Sequence, residues 1–295
     1  MRSPLSSFQV IRPASLDQAL EAMADGGGEA RAVPLAGGTD LFVYLNAGTW
    51  SSRRYLDLWG LRELGGIRAT AEGVRLGALT TFSEIREHPV LRRRYPSLVA
   101  AAAEVGARQI QNRATLGGNI ANASPAGDSL PVLLALDAVV HARSCRGSRR
   151  IPFAEIYRGY RQLALDPDEL ITGVALPAPL PRTFQFFRKV GTRRAQSISK
   201  VVLCGVLRQD RRGAVDHVRI AYGSVAPVTV RARKAEDELW NARPSPESAA
   251  RARAALLDDI APIDDIRSDR DYRLAVAGNL LAQFLRAADP RFAAG

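Results

Sequence analysis

Apolar residues recur at helical spacing in several short stretches of the first half of the chain. One such stretch follows the capping-box pattern at Ser15–Gln18 (SLDQ), which predicts a helix from residue 16. A second capping box at Thr81–Glu84 (TFSE) predicts a helix that ends before Pro89. Further helices are expected over 98–107 (LVAAAAEVGA) and 131–138 (PVLLALDA).

Alternating and continuous apolar runs predict the strands of the molecule. The expected strands are 33–35, 73–78 (GVRLGA), 139–143, 170–176, 197–207 and 218–224. Helices are expected over 230–240, 246–257 and 268–286, the last with Tyr272, Val276, Leu280 and Phe284 at intervals of four. Strands that form hairpins, together with helices grouped apart from them, predict an α+β fold.

The length of the chain favours at least two domains, because 295 residues exceed what one hydrophobic core usually serves. A proline-rich stretch carries Pro177, Pro179 and Pro181, and the composition changes there. We place the domain boundary near residue 180.

The overall composition is that of an ordinary globular protein, with 46% apolar residues. The first ten residues (MRSPLSSFQV) lack the apolar core of a signal peptide, and no apolar run approaches the roughly 18 residues of a membrane span. We therefore expect a cytoplasmic protein with no membrane association.

A net charge of +11 raises the hypothesis of nucleic-acid binding. The distribution of that charge argues against it, since the arginine clusters at 92–94, 149–150 and 211–212 are short and contain no interleaved aromatic residues. These clusters are interpreted as solvated faces, and we expect no nucleic-acid partner.

Metal-ligating residues are few. The two cysteines, Cys145 and Cys204, form no CxxC pair, so the chain cannot hold a four-cysteine zinc site or an iron–sulfur cluster of its own. Both are expected to be buried, inert thiols. The three histidines, His88, His141 and His217, are scattered, and we assign them no metal or catalytic role.

Two glycine loops are the strongest candidates for a functional site. AGGTD (36–40) and TLGGN (115–119) each place a glycine pair beside residues that can hydrogen-bond locally. Glycine allows positive φ and removes the Cβ that would keep a ligand away, so successive N–H groups in both loops are expected to face phosphate oxygens. Asp128, at the end of SPAGD, suits a ribose hydroxyl or a donor on the adenine side. Two tight turns without a ligand remain the alternative.

Several familiar nucleotide-binding and hydrolytic patterns are missing from the sequence. There is no G-x-G-x-x-G after a strand, no G-x-x-x-x-G-K-[ST] and no G-x-S-x-G elbow. The loops therefore indicate a dinucleotide that is held outside the Rossmann and P-loop folds.

The sequence resembles the FAD-binding (medium) subunit of the molybdenum hydroxylase family, of the xanthine dehydrogenase and carbon monoxide dehydrogenase type. PLAGGTDL (34–41) and the block from Gln109 to Ala138 resemble the two FAD-binding signatures of that family. The resemblance continues through blocks at 160–177, 186–205, 221–239 and 264–281, so it covers nearly the whole chain.

The resemblance implies a fold and a set of domains. An FAD-binding domain of the vanillyl-alcohol-oxidase-like type would occupy residues 1–180, with two α+β lobes at about 1–60 and 61–180. A smaller α+β domain, like the carbon monoxide dehydrogenase flavoprotein C-terminal domain, would occupy residues 181–290.

The resemblance also implies cofactor-binding residues. Residues 35–41 and 115–120 would line the FAD pyrophosphate, Ser124 and Asp128 would bind the ribityl or ribose side, and Ile171 and Lys189 would lie near the isoalloxazine. The full set implied is Leu35, Ala36, Gly37, Gly38, Thr39, Asp40, Leu41, Thr115, Gly117, Gly118, Asn119, Ile120, Ser124, Asp128, Ile171 and Lys189. No catalytic side chain and no metal ligand are implied.

The implied function is electron transfer within a complex. A large subunit would carry the molybdopterin centre and a small subunit two [2Fe–2S] clusters, in a heterotrimer or a pair of heterotrimers. Electrons would reach FAD here and leave to NAD+ or another acceptor. Two alternatives stay open: a stand-alone FAD-dependent oxidoreductase with its own small substrate, and a basic binding protein without enzymatic activity.

Overall fold

The computed structural model describes residues 7–25, 31–193 and 196–293. The strands are β1 (Gln9–Ile11), β2 (Val33–Leu35), β3 (Arg54–Asp57), β4 (Ile67–Ala69), β5 (Gly73–Gly77), β6 (Val139–Ser144), β7 (Gly147–Pro152), β8 (Tyr157–Gly159), β9 (Gln162–Leu163), β10 (Leu170–Pro177), β11 (Phe184–Val190), β12 (Val201–Gln209), β13 (Val215–Gly223) and β14 (Val230–Arg231). The helices are α1 (Leu16–Ala24), α2 (Leu41–Ala47), α3 (Phe82–Glu87), α4 (Pro89–Arg94), α5 (Pro96–Glu104), α6 (Arg108–Gln111), α7 (Leu116–Asn122), α8 (Leu130–Ala135), α9 (Arg233–Leu239), α10 (Pro246–Leu256) and α11 (Arg270–Ala288).

A small parallel sheet begins the fold, with strand order β1-β3-β2. Helix α1 packs on it because Leu16, Leu20 and Met23 form one apolar face, and these side chains share a core with Leu56 of β3. Ser15 caps the helix by accepting a hydrogen bond from the backbone of Gln18. The first glycine loop leaves this sheet at the end of β2.

The second sheet is antiparallel, with strand order β4-β5-β10-β6-β7. Its middle strand, β10, pairs with β5 on one side and β6 on the other, and Val174 is fully buried there. Helices α3, α5, α7 and α8 contribute buried apolar residues to the same core. The second glycine loop enters α7, so this core fixes its position.

The third sheet, β11-β12-β13-β14, is also antiparallel. Helices α9, α10 and α11 cover one face and share a core with it, in which Phe284 is fully buried. The opposite face places Cys204, Val206 and Ala221 in the core of the second sheet. Because both of its faces are buried, the third sheet packs against the rest of the chain. A cleft lies between the third sheet and the part of the chain that carries the glycine loops.

The predicted α+β class is confirmed, and most predicted elements lie within a few residues of their expected bounds. Residues 230–231 form strand β14 instead of starting a helix, because Val230 pairs with Tyr222 of β13. Residues 197–200 precede β12, and the Ser199 hydroxyl bonds Asp128 instead of joining the sheet.

Three further differences concern residues near the loops or the cysteines. Residues 41–47, for which the sequence predicts no element, form helix α2, and residues 116–122, which include the second glycine pair, form helix α7. The expectation of two buried thiols is right for Cys204 and wrong for Cys145, which lies exposed in the turn between β6 and β7. In the described part of the chain, no helix combines the length and apolar character needed to cross a bilayer.

Candidate functional site

A cleft of about 1260 Å³ separates the glycine loops from the third sheet and its helices. One wall comes from residues 34–44 and 105–128, and the other from residues 196–199, 224–227 and 261–273. Pockets for small ligands usually measure roughly 300–1,000 Å³. This cleft is larger and is suited to an extended ligand such as a dinucleotide.

The first glycine loop presents free backbone donors to the cleft. Within the described ranges, the four successive N–H groups of residues 37–40 donate to no protein acceptor. Gly38 adopts φ +74°, a left-handed conformation that turns the chain into α2. Gly37 packs against the neighbouring segment, since a Cβ there would lie 1.8 Å from the carbonyl oxygen of Arg113.

The second glycine loop differs from the first, because its backbone N–H groups donate hydrogen bonds to acceptors within the protein. The N–H groups of Leu116 and Gly117 donate to Thr80 O and Ala78 O, each at 2.9 Å. The Gly118 N–H donates to Thr115 Oγ1 at 3.1 Å, which caps α7. The expectation that both loops present free N–H groups is therefore wrong for the second loop.

Three residues of the second loop, Thr115, Gly118 and Asn119, still line the cleft. A Cβ on Gly118 would meet the Thr115 hydroxyl at 2.9 Å and otherwise lie 4.0 Å from the Ala36 Cβ, across the narrow part of the cleft. Asn119 also lines the cleft, and its Oδ1 accepts a hydrogen bond from Ser129 at 2.7 Å. That bond leaves the Asn119 amide NH2 as a donor.

Asp128 lies at the boundary between the two walls and is already paired. Lys189 Nζ of β11 donates to its Oδ2 at 2.7 Å and to Glu104 O at 3.1 Å, and the Ser199 hydroxyl bonds Asp128 Oδ1. Both side chains of the ion pair are more than 90% buried. Burial raises the pKa of the Asp128 carboxyl, while the charge and hydrogen bond of Lys189 act against that increase.

Most of the residues implied for cofactor binding line the cleft. Those on its surface are Leu35, Ala36, Gly37, Gly38, Thr39, Asp40, Leu41, Thr115, Gly118, Asn119, Ser124 and Asp128. Four others, Gly117, Ile120, Ile171 and Lys189, lie outside the lining. A Cβ added to Gly117 would point at Ala78, and Ile120 and Ile171 belong to the core of the second sheet. Lys189 is buried behind Asp128.

Asp40 lies in the first loop, and the walls around it affect its ionisation. Its side chain is accessible to solvent, yet desolvation by the surrounding walls raises the pKa of its carboxyl, and the charge of Arg161 partly offsets this. Asp40 is the N-terminal flanking residue of α2 and makes no capping hydrogen bond.

Sequence reasoning missed several residues of the cleft. Tyr44, Trp50, Tyr160 and Arg161 gather at one end, and Asp265 pairs with Arg273 at 2.7 Å on the opposite wall. The block from Tyr160 to Pro177 belongs to the resemblance, but no local motif distinguishes its first two residues from an ordinary polar turn.

The donors present fit the diphosphate of FAD. The free N–H groups of residues 37–40 lie on the cleft wall, Gly118 leaves the narrow part open, and the cleft has room for a dinucleotide. Among the described residues, no group of three or more histidine, cysteine or acidic side chains is placed to hold a metal ion.

Comparison with known proteins agrees with this geometry. The family model for the FAD binding domain in molybdopterin dehydrogenase matches residues 6–179, and the model for the CO dehydrogenase flavoprotein C-terminal domain matches residues 186–288. The chain is 32% identical over 265 residues to the xanthine dehydrogenase FAD-binding subunit of Escherichia coli O157:H7, an overlap covering 89% of each chain.

A second relative and its solved structure cover almost the whole chain. The carbon monoxide dehydrogenase medium chain of Hydrogenophaga pseudoflava is 28% identical over 286 residues, or 97% of this chain and 98% of that one. A structure of that carbon monoxide dehydrogenase, lacking the Mo-pyranopterin moiety of its cofactor, matches at a TM-score of 0.93 and 29% identity, over 99% of this chain and 100% of the other.

The chain therefore belongs to the family of FAD-binding medium subunits of xanthine dehydrogenase-type and carbon monoxide dehydrogenase-type molybdenum hydroxylases. It is an oxidoreductase subunit, and its cofactor is FAD.

Proposed function

We propose that this chain relays electrons within a molybdenum hydroxylase complex. Electrons would arrive from [2Fe–2S] clusters of a small subunit, after substrate oxidation at the molybdopterin centre of a large subunit, and leave to NAD+ or another acceptor. The observation that carries the proposal is the cleft between the two glycine loops and the third sheet, with its free N–H donors at residues 37–40.

The protein's own residues would bind and orient the cofactor. Residues 35–41 hold the pyrophosphate through backbone donors, Gly118 and Asn119 form the opposite side of the narrow part, and Ser124 with Asp128 lies towards the ribityl or ribose side. Bound FAD supplies the redox chemistry, which side chains of this kind do not.

Lys189 would act on the cofactor together with Asp128. Its ammonium balances a buried carboxylate, so the pair as a whole is close to neutral beside the cleft. Changing Lys189→Ala is expected to retain FAD and shift its reduction potential, because the buried charge balance next to the cofactor changes. A spectroelectrochemical titration measures the shift, and an unchanged potential would remove this role for Lys189.

We also propose that the domain boundary lies near residue 180, with FAD-domain lobes at about 1–60 and 61–180 and the C-terminal domain at 181–290. Two observations support this division. The two family models leave residues 180–185 between them, and β11 starts the third sheet at Phe184.

The relay is tested by purifying the tagged chain from its native host and identifying the attached subunits by mass spectrometry. The intact complex is then mixed anaerobically with candidate substrates while flavin absorbance near 450 nm is followed in a stopped-flow instrument. Bleaching should require the partner subunits, and NAD+ or another acceptor should restore the absorbance.

The isolated chain loaded with FAD is the control in the same experiment. It should not bleach with substrates that reduce the complex. A homogeneous preparation without partners that oxidises a small substrate by itself would contradict the relay and favour the stand-alone oxidoreductase.

A further inference from the structure

One end of the cleft carries a cation without an ion-pair partner. Arg273 and Arg267 on the far wall share one carboxylate partner, Asp265, at 2.7 and 3.4 Å, and Lys189 pairs with Asp128. Among the cleft-lining residues that the structure describes, this leaves Arg161 as the basic side chain with no carboxylate within 4.0 Å, the limit for an ion pair.

Arg161 lies at the tip of the β8–β9 hairpin, which reaches both glycine segments. At the base of the hairpin, the Tyr157 hydroxyl donates to Ile120 O of α7 at 3.0 Å. At the tip, Arg161 Nη1 donates to the Tyr44 hydroxyl of α2 at 2.8 Å, and that hydroxyl donates to Asn122 Oδ1 at 2.9 Å. The guanidinium is thus held between α2, which follows the first glycine loop, and α7, which contains the second glycine pair.

The backbone of Arg161 adopts a conformation that an arginine rarely takes. Its φ is +53°, and the left-handed region costs a non-glycine residue on the order of 1 kcal/mol. The cost is tolerated in a two-residue turn, Tyr160 and Arg161, whose side chains both line the cleft. A glycine or asparagine would fit this turn without the strain but would bring no charge to the cleft.

Aromatic faces surround this guanidinium on the cleft side. Trp50 stacks on Tyr44 with ring centroids 6.1 Å apart and an interplanar angle of 20°. Arg161 lies over the rings of Tyr44 and Tyr160, at 5.4 and 5.9 Å. Tyr160 is 60% exposed and Trp50 38% exposed, so both offer ring faces for a planar base.

We propose that these residues form a binding site for the adenosine diphosphate half of FAD, in which Arg161 pairs with the diphosphate and Trp50 and Tyr160 stack against the adenine. The glycine loops contribute amides but no cation, and the diphosphate carries two negative charges. Arg161 is close enough to the first loop for its charge to act against the desolvation that raises the pKa of Asp40. The site rests on the proposed binding of FAD in this cleft.

ADP is also half of NAD+, so the same chemistry could serve the acceptor. The structure favours FAD because the site is continuous with the free amides of residues 37–40. The experiment below separates the two sources.

The test uses the full chain, stripped of flavin, in calorimetric titrations with FAD, ADP and FMN. Arg161→Gln should weaken FAD and ADP binding about 10- to 100-fold and leave FMN binding unchanged, because FMN lacks the second phosphate and the adenosine. Arg161→Lys should restore part of the affinity. The salt dependence of FAD binding should also fall in Arg161→Gln, since one phosphate contact is lost.

Trp50→Ala should weaken ADP and FAD binding about 5- to 100-fold through loss of base stacking. Matched controls are Arg158→Gln, an exposed arginine on the same hairpin outside the cleft lining, and Trp240→Ala, a tryptophan 52% exposed in the C-terminal part. Both controls should bind FAD and ADP as the parent chain does. Melting of each apoprotein checks that its fold is intact.

Three results would overturn the site: equal FAD affinity in Arg161→Gln and the parent, a loss of FMN binding as large as the loss of ADP binding, or Arg161-dependent ADP binding that persists after FAD is bound. The last result would assign the site to the acceptor. A parent chain that binds no FAD would instead contradict the proposed function itself, which keeps the two failures distinct.

Discussion

The loop at 36–40 and the loop at 115–119 each carry a glycine pair, and the two pairs contact different parts of the molecule. The first loop leaves four N–H groups without an acceptor among the residues that the structure describes. The second donates to Ala78, Thr80 and its own Thr115. The first loop therefore has donors free for a ligand, while the donors of the second loop are bonded within the protein.

Within each pair, one glycine serves the packing of the protein. Gly37 lets the first loop approach Arg113, and Gly117 lets α7 approach Ala78, where a Cβ would lie 2.7 Å from the Ala78 oxygen. The other glycines act on the cleft: Gly38 turns the chain, and Gly118 keeps space open. The four glycines therefore have different roles. Substitutions at the packing glycines should lower the stability of the protein, and substitutions at the cleft glycines should lower flavin binding.

The largest effect is expected for Gly37→Ala. Its Cβ would lie 1.8 Å from the Arg113 oxygen, so the two loop segments must move apart. We expect a loss on the order of 3 kcal/mol or more in the free energy of unfolding of the apoprotein, measured by urea denaturation. Gly60→Ala is the control, because a Cβ there meets nothing within 4 Å. Equal stability of the two variants would show that the loops are not packed together here.

Gly118→Val should separate the two roles most clearly. The branched side chain would enter the narrow part of the cleft, where we propose that the diphosphate binds, and on the protein side its Cβ would meet the Thr115 hydroxyl. We expect flavin retention to be abolished, with a change in apoprotein unfolding free energy within about 2 kcal/mol. The ratio of absorbance at 450 and 280 nm after purification measures retention. Normal flavin content in this variant would refute the assignment of the second loop.

Sequence patterns predicted the presence of both loops but not the difference between them. AGGTD and TLGGN look equivalent locally, yet the acceptors that satisfy the second loop lie at Ala78 and Thr80, more than 30 residues earlier in the chain. Lys189 of β11 and Ser199, just before β12, likewise contact Asp128 across separations of 61 and 71 residues, which no local pattern reveals. Arg161 belongs to no motif, and the role proposed for it depends on a hydrogen bond to Tyr44, 117 residues earlier in the chain.

Thr115→Val tests the rigid anchoring of the second loop. The substitution keeps the shape of the side chain and removes the hydroxyl that accepts a hydrogen bond from Gly118. We expect a loss of about 1 kcal/mol in unfolding free energy, the usual value of a helix N-cap, together with a modest decrease in FAD affinity. Asp40 makes no cap bond at the equivalent place, so Asp40→Asn should not show this loss. A cap effect of equal size at both positions would contradict the distinction between the loops.

Asp40→Asn should produce the smallest effect, and one that depends on pH. Desolvation raises the pKa of this carboxyl in the folded apoprotein above its ordinary value of 3.8, and Arg161 only partly offsets the change. The carboxyl therefore ionises at lower pH in the unfolded chain than in the folded chain. As pH rises from about 3.8 through the folded-state pKa, this difference lowers the free energy of unfolding. Above the folded-state pKa the loss stays constant. The asparagine variant should lack this decline and be slightly more stable at neutral pH. Urea denaturation of the apoprotein at a series of pH values measures both; a variant that loses stability relative to the parent as pH rises would show that the carboxylate is stabilised in the first loop.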